Sequence, residues 1–175
     1  MSTNAKISLW DNSTQGLDAS TSIRFGKSLQ AYTKSGKNIA VAALYQASDD
    51  LINLFDKVTL LTEGQQIFFG NIQEAKDYLA SLGFVWPERQ SLSEFFVAVT
   101  DSNLRVTKDG WDDRVPRSVQ DFVGCWKKSV YYQKLQEDLN KHMNTTKQGH
   151  GDKRIEPHGI PHVKSSYVLS WRAQL

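Results

Sequence analysis

Ile7-Ser-Leu-Trp-Asp-Asn-Ser-Thr-Gln-Gly-Leu-Asp18 is an apolar run that delivers an aspartate at its end, followed by a polar cluster and a second aspartate. The run Lys6 to Trp10 reads as a short strand, and Asp11 to Gly16 as the loop that follows it. Beyond the loop, Phe25, Leu29 and Tyr32 fall at i, i+4 and i+7. That spacing predicts a helix from about Ala19 to Ser35, with Gly36 as its stop. Ile39-Ala-Val-Ala-Ala-Leu44 is apolar without alternation, the pattern of a strand covered on both faces in a parallel sheet. Strand, loop, helix and strand in this order predict an α/β domain.

Further along, Lys57 to Thr62 and Gln65 to Phe69 flank Glu63-Gly64, which predicts a hairpin. Asn71 and Glu74 have the spacing of a capping box, opening a helix with Ile72, Ala75, Leu79 and Leu82 inward and Gly83 at its end. Pro116 starts another helix, carrying Val119, Phe122 and Trp126, and Tyr131, Leu135, Leu139 and Met143 define the next by their spacing of four. Residues 145–165 are rich in Lys, Gly, His, Pro and Ser and read as a linker.

Composition narrows the function classes. With 39% apolar and 11% aromatic residues in 175, the chain can bury a core. Its longest strictly apolar or aromatic run, Ile39 to Tyr45, falls far short of the roughly 20 residues of a membrane-spanning helix. Lys plus Arg number 21 against 19 Asp plus Glu, a near balance that does not argue for nucleic acid. The start lacks a secretory pattern and Cys125 has no partner for an internal disulfide, so a reducing, cytoplasmic setting is expected.

An aspartate at the carboxyl end of a buried strand stands where nucleotide sites of open α/β sheets lie. Asp11 is thus a candidate Mg²⁺ ligand, bridging the phosphates of ATP; as an alternative it only opens the turn with Asn12. Trp10-Asp-Asn-Ser-Thr-Gln-Gly-Leu-Asp-Ala-Ser-Thr21 resembles the Walker B motif and D-loop of ATP-binding cassette transporters, most closely the fungal pleiotropic drug resistance subfamily. The resemblance continues through Leu44-Tyr-Gln46 at the H-loop place, Leu54 to Val58, Gly64 to Gly70, and Gly83 to Gln90, where the family usually has a cysteine in place of Trp86. It covers roughly residues 5–130, and Ser166 to Leu175 is similar to the approach to the first transmembrane region.

The resemblance implies a partial P-loop NTPase fold with a mostly parallel sheet. Residues 1–110 would be the C-terminal portion of the first nucleotide-binding domain, 111–144 a helical extension and 145–175 a linker toward a transmembrane region. It implies an ATP-driven drug, xenobiotic or sterol export pump, with this segment at the cytoplasmic face of the plasma membrane. Its partners would be the rest of the transporter: the N-terminal cassette half, the second nucleotide-binding domain and the transmembrane domains. ATP and Mg²⁺ would be cofactors of the complete transporter, with neither held tightly by this segment.

Two departures bear on chemistry. Asn12 stands where a competent site has a glutamate, and a neutral amide cannot take the proton of an attacking water. Tyr45, a neutral phenol, stands where a histidine would reach the γ-phosphate, although a packed aromatic at a strand end accounts for it as well. In the family both replacements mark the degenerate N-terminal site, so no residue here is assigned as catalytic. Asp18 matches the D-loop aspartate, which would contact the opposite cassette, and also serves as an N-cap. Gln46 follows Tyr45 as glutamine follows the histidine, or is a plain polar strand-end residue.

Upstream of Asp11 nothing reads as a phosphate loop. Thr21 to Ser28 ends like one, yet Thr21 replaces the first glycine and the stretch falls inside the expected helix, with Lys27 on its solvated face. His142, His150, His158 and His162 lack the cysteine pairs and spacing of a zinc site. A second functional class remains open, a stand-alone α/β interaction module that has lost nucleotide chemistry.

Overall fold

The computed structural model describes residues 6–36, 38–148 and 165–170. In chain order the elements are β1 (Ile7–Asp11), α1 (Ala19–Gly36), β2 (Ile39–Ala43), α2 (Asp49–Ile52), β3 (Lys57–Thr62) and β4 (Gln65–Gly70). They continue with α3 (Ile72–Ser81), α4 (Leu92–Ala98), α5 (Val119–Lys128), α6 (Val130–Gln148) and β5 (Ser165–Ser170).

The described strands form one five-stranded sheet in the order β1-β2-β5-β3-β4, with β1–β2, β2–β5 and β3–β5 parallel and β3–β4 an antiparallel hairpin. A strand from the C-terminal stretch in its middle departs from the expected cassette sheet, which was confined to residues 1–110. β1 is an edge strand with Ile7 and Leu9 exposed at 55% and 77%, and β2 buries Ala40 and Ala42 completely while its alternate residues are half-buried. A strand read as covered on both faces is therefore fully covered on one. The strand that fills the middle comes from the C-terminal stretch in which no strand was expected.

Local chemistry explains most of the elements. The β3–β4 turn places Glu63 at φ 45° and Gly64 at φ 74°, two left-handed residues in succession, as a tight hairpin with right-twisted strands requires. At α3 the Asn71 side chain accepts from the Glu74 N–H at 2.8 Å while the Glu74 carboxylate accepts from the Asn71 N–H at 3.1 Å. Glu74 also receives Lys134 Nζ of α6 at 2.8 Å. Partial burial pushes its carboxyl upward, but the Lys134 and Asn71 hydrogen bonds outweigh burial and hold it below the ordinary range. The same reciprocal cap opens α4 at Ser91 and Glu94 and α5 at Ser118 and Asp121. Helix α5 consequently starts at Val119, after Pro116 and not at it.

Helices α3, α5 and α6 pack against the hairpin around an aromatic cluster. The Phe68 ring lies 5.4 Å from Tyr78, 5.2 Å from Trp126 and 6.0 Å from Tyr131. Helix α6 joins this cluster through the half-buried Tyr131 and Leu135, whereas Leu139 and Met143, expected to continue the inward stripe, are exposed. Within the cluster the Tyr78 hydroxyl is buried without a hydrogen-bond partner among the described residues, and burial raises its ionisation well above the ordinary tyrosine value. An unpaired buried hydroxyl costs about 1–3 kcal/mol. Tyr78→Phe keeps the ring and removes that cost, so urea denaturation should give a stability equal to the parent or up to about 2 kcal/mol higher. A clear loss would mean that the hydroxyl has a partner.

Helix α1 buries Leu29 and half-buries Phe25 and Tyr32, the three residues whose spacing predicted it. Gly26 sits where an added Cβ would lie 2.7 Å from a Leu51 methyl and 2.8 Å from one of Leu54, so the glycine serves close packing of α1 on the α2 region. Lys27 is exposed, and the stretch that ends like a phosphate loop is mid-helix.

Candidate functional site

β1 and β2 run parallel with Asp11 opposite Ala43, so both strands end at the same side of the sheet. The chain leaves β1 through a left-handed Asn12 at φ 47° whose N–H donates to the Ala43 carbonyl at 3.1 Å. It leaves β2 through a left-handed Gln46 at φ 50°. Two non-glycine residues in this sparsely populated region, one at the exit of each neighbouring strand, mark a place where the fold holds local strain.

The two exits frame a cleft of about 470 Å³ that brings together Asn12, Tyr45 and Gln46, with Gln15, Ser22 and Leu51 also on its walls. Asn12 and Tyr45 are thus neighbours across a cleft although far apart in sequence. Asp11 and Asp18 are not among the residues lining it; both are exposed beside it. The wall contains no charged side chain.

The first loop is tied to itself. Asn12 Nδ2 donates to Gln15 Oε1 at 2.5 Å, the Gln15 N–H donates to the Asn12 carbonyl at 3.1 Å, and the Ser13 hydroxyl donates to the Asp11 carbonyl at 3.3 Å. Gly16 at φ 76° turns the chain toward Asp18. Asp18 Oδ1 accepts from the Thr21 N–H at 2.6 Å and the Ser20 hydroxyl at 3.0 Å, the geometry of a cap on α1. These bonds, that from the Thr21 backbone first, lower the Asp18 carboxyl below its ordinary value. The capping alternative for Asp18 is therefore realised in the fold.

The second loop is pinned from behind by α4. The Ser93 hydroxyl donates to the Ala47 carbonyl at 2.7 Å and the Leu92 N–H donates to Asp49 Oδ1 at 2.7 Å. Sequence reasoning missed these supports and Gln15. The Ser91/Glu94 cap signature was the signal for α4, while a glutamine inside a polar loop carries none.

A Mg²⁺ ion takes one or two carboxylates and fills its shell with waters and phosphate oxygens. Asp11 stands exposed at the strand exit. Among the described residues no group of three or more His, Cys, Asp or Glu can hold a metal. His142 lies on α6, and His150, His158 and His162 fall outside the described residues. The cleft can hydrogen-bond and orient a ligand, but its walls offer neither a base nor a cation for a phosphate chain.

The family model for ABC-2 type transporters matches residues 45–158. The chain is 42% identical over 137 residues to ABC multidrug transporter atrG of Aspergillus oryzae, covering 78% of this chain and 9% of that protein. It is also 42% identical over 137 residues to ABC multidrug transporter C of Aspergillus fumigatus, with 9% of that protein covered. To ABC multidrug transporter SNQ2 of Candida glabrata it is 37% identical over 180 residues, covering 99% of this chain and 12% of the relative. The chain therefore spans about a tenth of the length of the curated relatives it matches.

These relatives agree with the resemblance to fungal drug-efflux transporters. The family match overturns the expected fold: the matching family is that of the transporter's membrane part, which removes the partial P-loop NTPase assignment. Among the described residues no helix is long and apolar enough to cross a membrane. The chain belongs to the ABC-2 type transporter family.

Proposed function

We propose that this chain is the part of a fungal multidrug efflux transporter that walls a non-hydrolytic nucleotide site on the cytoplasmic face of the membrane. The observation that carries this reading is the convergence of Asn12, Tyr45 and Gln46 on one cleft at the carboxyl ends of two parallel strands. In this reading Asp11 supplies one carboxylate to Mg²⁺, which would neutralise phosphate charge, and the phosphate cradle comes from elsewhere in the transporter. Asn12 orients water without accepting its proton, because an amide is not a base at neutral pH. Tyr45 offers a hydroxyl in place of an imidazole. Asp18, fixed by capping α1, holds the loop that a second nucleotide-binding domain would contact, and the transmembrane domains are the remaining partners.

One observation favours the second reading, an interaction module without nucleotide: the cleft wall is uncharged. A single experiment separates the two. In membrane vesicles carrying the transporter with this segment, a photoreactive Mg·ATP analogue should label the peptide containing Asp11, and Asp11→Asn should abolish that label. Asn12→Glu should leave total ATP turnover within about twofold, because the general-base contribution of about 10²- to 10⁴-fold also requires the missing histidine. Absence of label in the parent would sink the nucleotide reading in favour of the interaction module.

A further inference from the structure

We propose that the groove between α5 and the segment leading into it docks an acidic, extended segment from elsewhere in the same transporter. This inference is independent of the nucleotide reading, since the groove and the cleft share no residue. The groove has a volume of about 560 Å³ and runs along one face of α5 past Gln120, Gly124 and Lys128, with Arg114, Val115 and Pro116 on its other wall. A glycine inside a helix is destabilising relative to alanine. No packing among the described residues requires one here, because a Cβ added at Gly124 would meet nothing within 4 Å. The bare backbone leaves room for another chain to approach.

Charge decides what that chain carries. Of the acids on the groove walls, Asp113 is paired with Arg117 at 2.6 Å, and the Asp121 carboxylate accepts from the Ser118 N–H at 2.9 Å and the Arg117 N–H at 3.3 Å as part of the α5 cap. Arg114 and Lys128 are exposed, and neither side chain has an ion-pair or hydrogen-bond partner among the described residues; the Arg114 guanidinium lies 6.0 Å from the Trp111 ring. Two unopposed cations therefore face the groove, and they call for carboxylates. From Gln120 to Lys128 the α5 wall measures about 12 Å, a length filled by about four or five residues of extended chain. Exposed ion pairs are weak, so docking of this kind needs a partner held at the millimolar effective concentration that a tether provides. The rest of the polypeptide meets that condition, since this chain spans about a tenth of the length of its relatives.

Cys125, the single cysteine of the chain, is half-buried on the groove wall and reports on its occupancy. In the 175-residue chain, an acetylated hexapeptide of alternating glutamate and alanine at millimolar concentration should slow alkylation of Cys125 by N-ethylmaleimide, and the lysine–alanine counterpart should not. Arg114→Gln and Lys128→Gln should each raise the peptide concentration for half-protection about two- to fivefold, the factor of one exposed ion pair. Gly124→Leu, whose Cβ has open space, should remove the effect of the peptide by filling the groove. In transporter vesicles, with alkylation of Cys125 read by mass spectrometry of its peptide, the parent should react more slowly than the Arg114→Gln/Lys128→Gln double variant. Equal rates in the vesicles, or no protection by the acidic peptide at millimolar concentration, overturn the proposal. Protection of the 175-residue chain by phosphatidylserine vesicles or by inorganic phosphate, and not by the peptide, overturns it in favour of a lipid headgroup or a free anion.

Discussion

Phe68→Ala should lower the unfolding free energy by about 3–5 kcal/mol, the range for removing a fully buried aromatic ring. Phe68 on β4 has no exposed surface and meets Tyr78 of α3, Trp126 of α5 and Tyr131 of α6. Removing the ring opens a cavity where three helices rest on the hairpin, and none of them can close it without leaving its other contacts. The transition midpoint in urea should fall with little change in slope, since the surface exposed on unfolding is almost the same. Phe68→Leu, which refills much of the volume, should cost clearly less. A loss below about 1 kcal/mol for the alanine variant would contradict the central place given to this ring.

Gly83→Ala is the second large effect, and it has two separable causes. Gly83 follows α3 at φ 98°; its N–H donates to the Ala80 carbonyl at 3.2 Å and that of Phe84 to the Leu79 carbonyl at 3.1 Å, a Schellman closure. A side chain in left-handed backbone costs about 1–2 kcal/mol. The new Cβ would also stand 2.4 Å from Trp111 Cε3 and 3.2 Å from a Val115 methyl, both belonging to the segment that closes over the end of α3. Overpacking of that kind adds about 1–3 kcal/mol. A double-mutant cycle with Trp111→Leu should recover the overpacking part and leave the backbone part, and strictly additive losses would show that the close approach is not the cause.

Both predictions indicate what kind of information each level held. Gly83 was legible as the stop of α3 because a helix end needs a left-handed residue and glycine alone takes one at no steric cost. Its second reason, the Trp111 ring, comes from a segment nearly thirty residues on and leaves no local trace. At the site, Asp11, Asn12, Asp18, Tyr45 and Gln46 could be named from the strand-end pattern and the resemblance. The uncharged wall, the supports from Ser93 and Leu92, and the tie between Asn12 and Gln15 could not.

The sequence by itself determined the elements whose causes are local. The Asn71/Glu74 box opens α3, Glu63-Gly64 turns the hairpin, and the i, i+4, i+7 face of α1 turns Leu29 inward, each through groups within a few residues of one another. The Ser91/Glu94 box and the apolar Leu92, Phe95, Phe96 and Val99 carried the same kind of signal for α4, although it was not read. Tertiary structure decided the rest. A strand of six residues such as β5 is defined by the neighbours that take its hydrogen bonds, and β2 and β3 are both more than a hundred residues away. A stripe at every fourth residue of α6 says which side is apolar but not where the body beneath it ends, and so Leu139 and Met143 stand exposed. Asn12 and Tyr45 meet because parallel pairing aligns Asp11 with Ala43, a register set between strands that lie far apart in sequence.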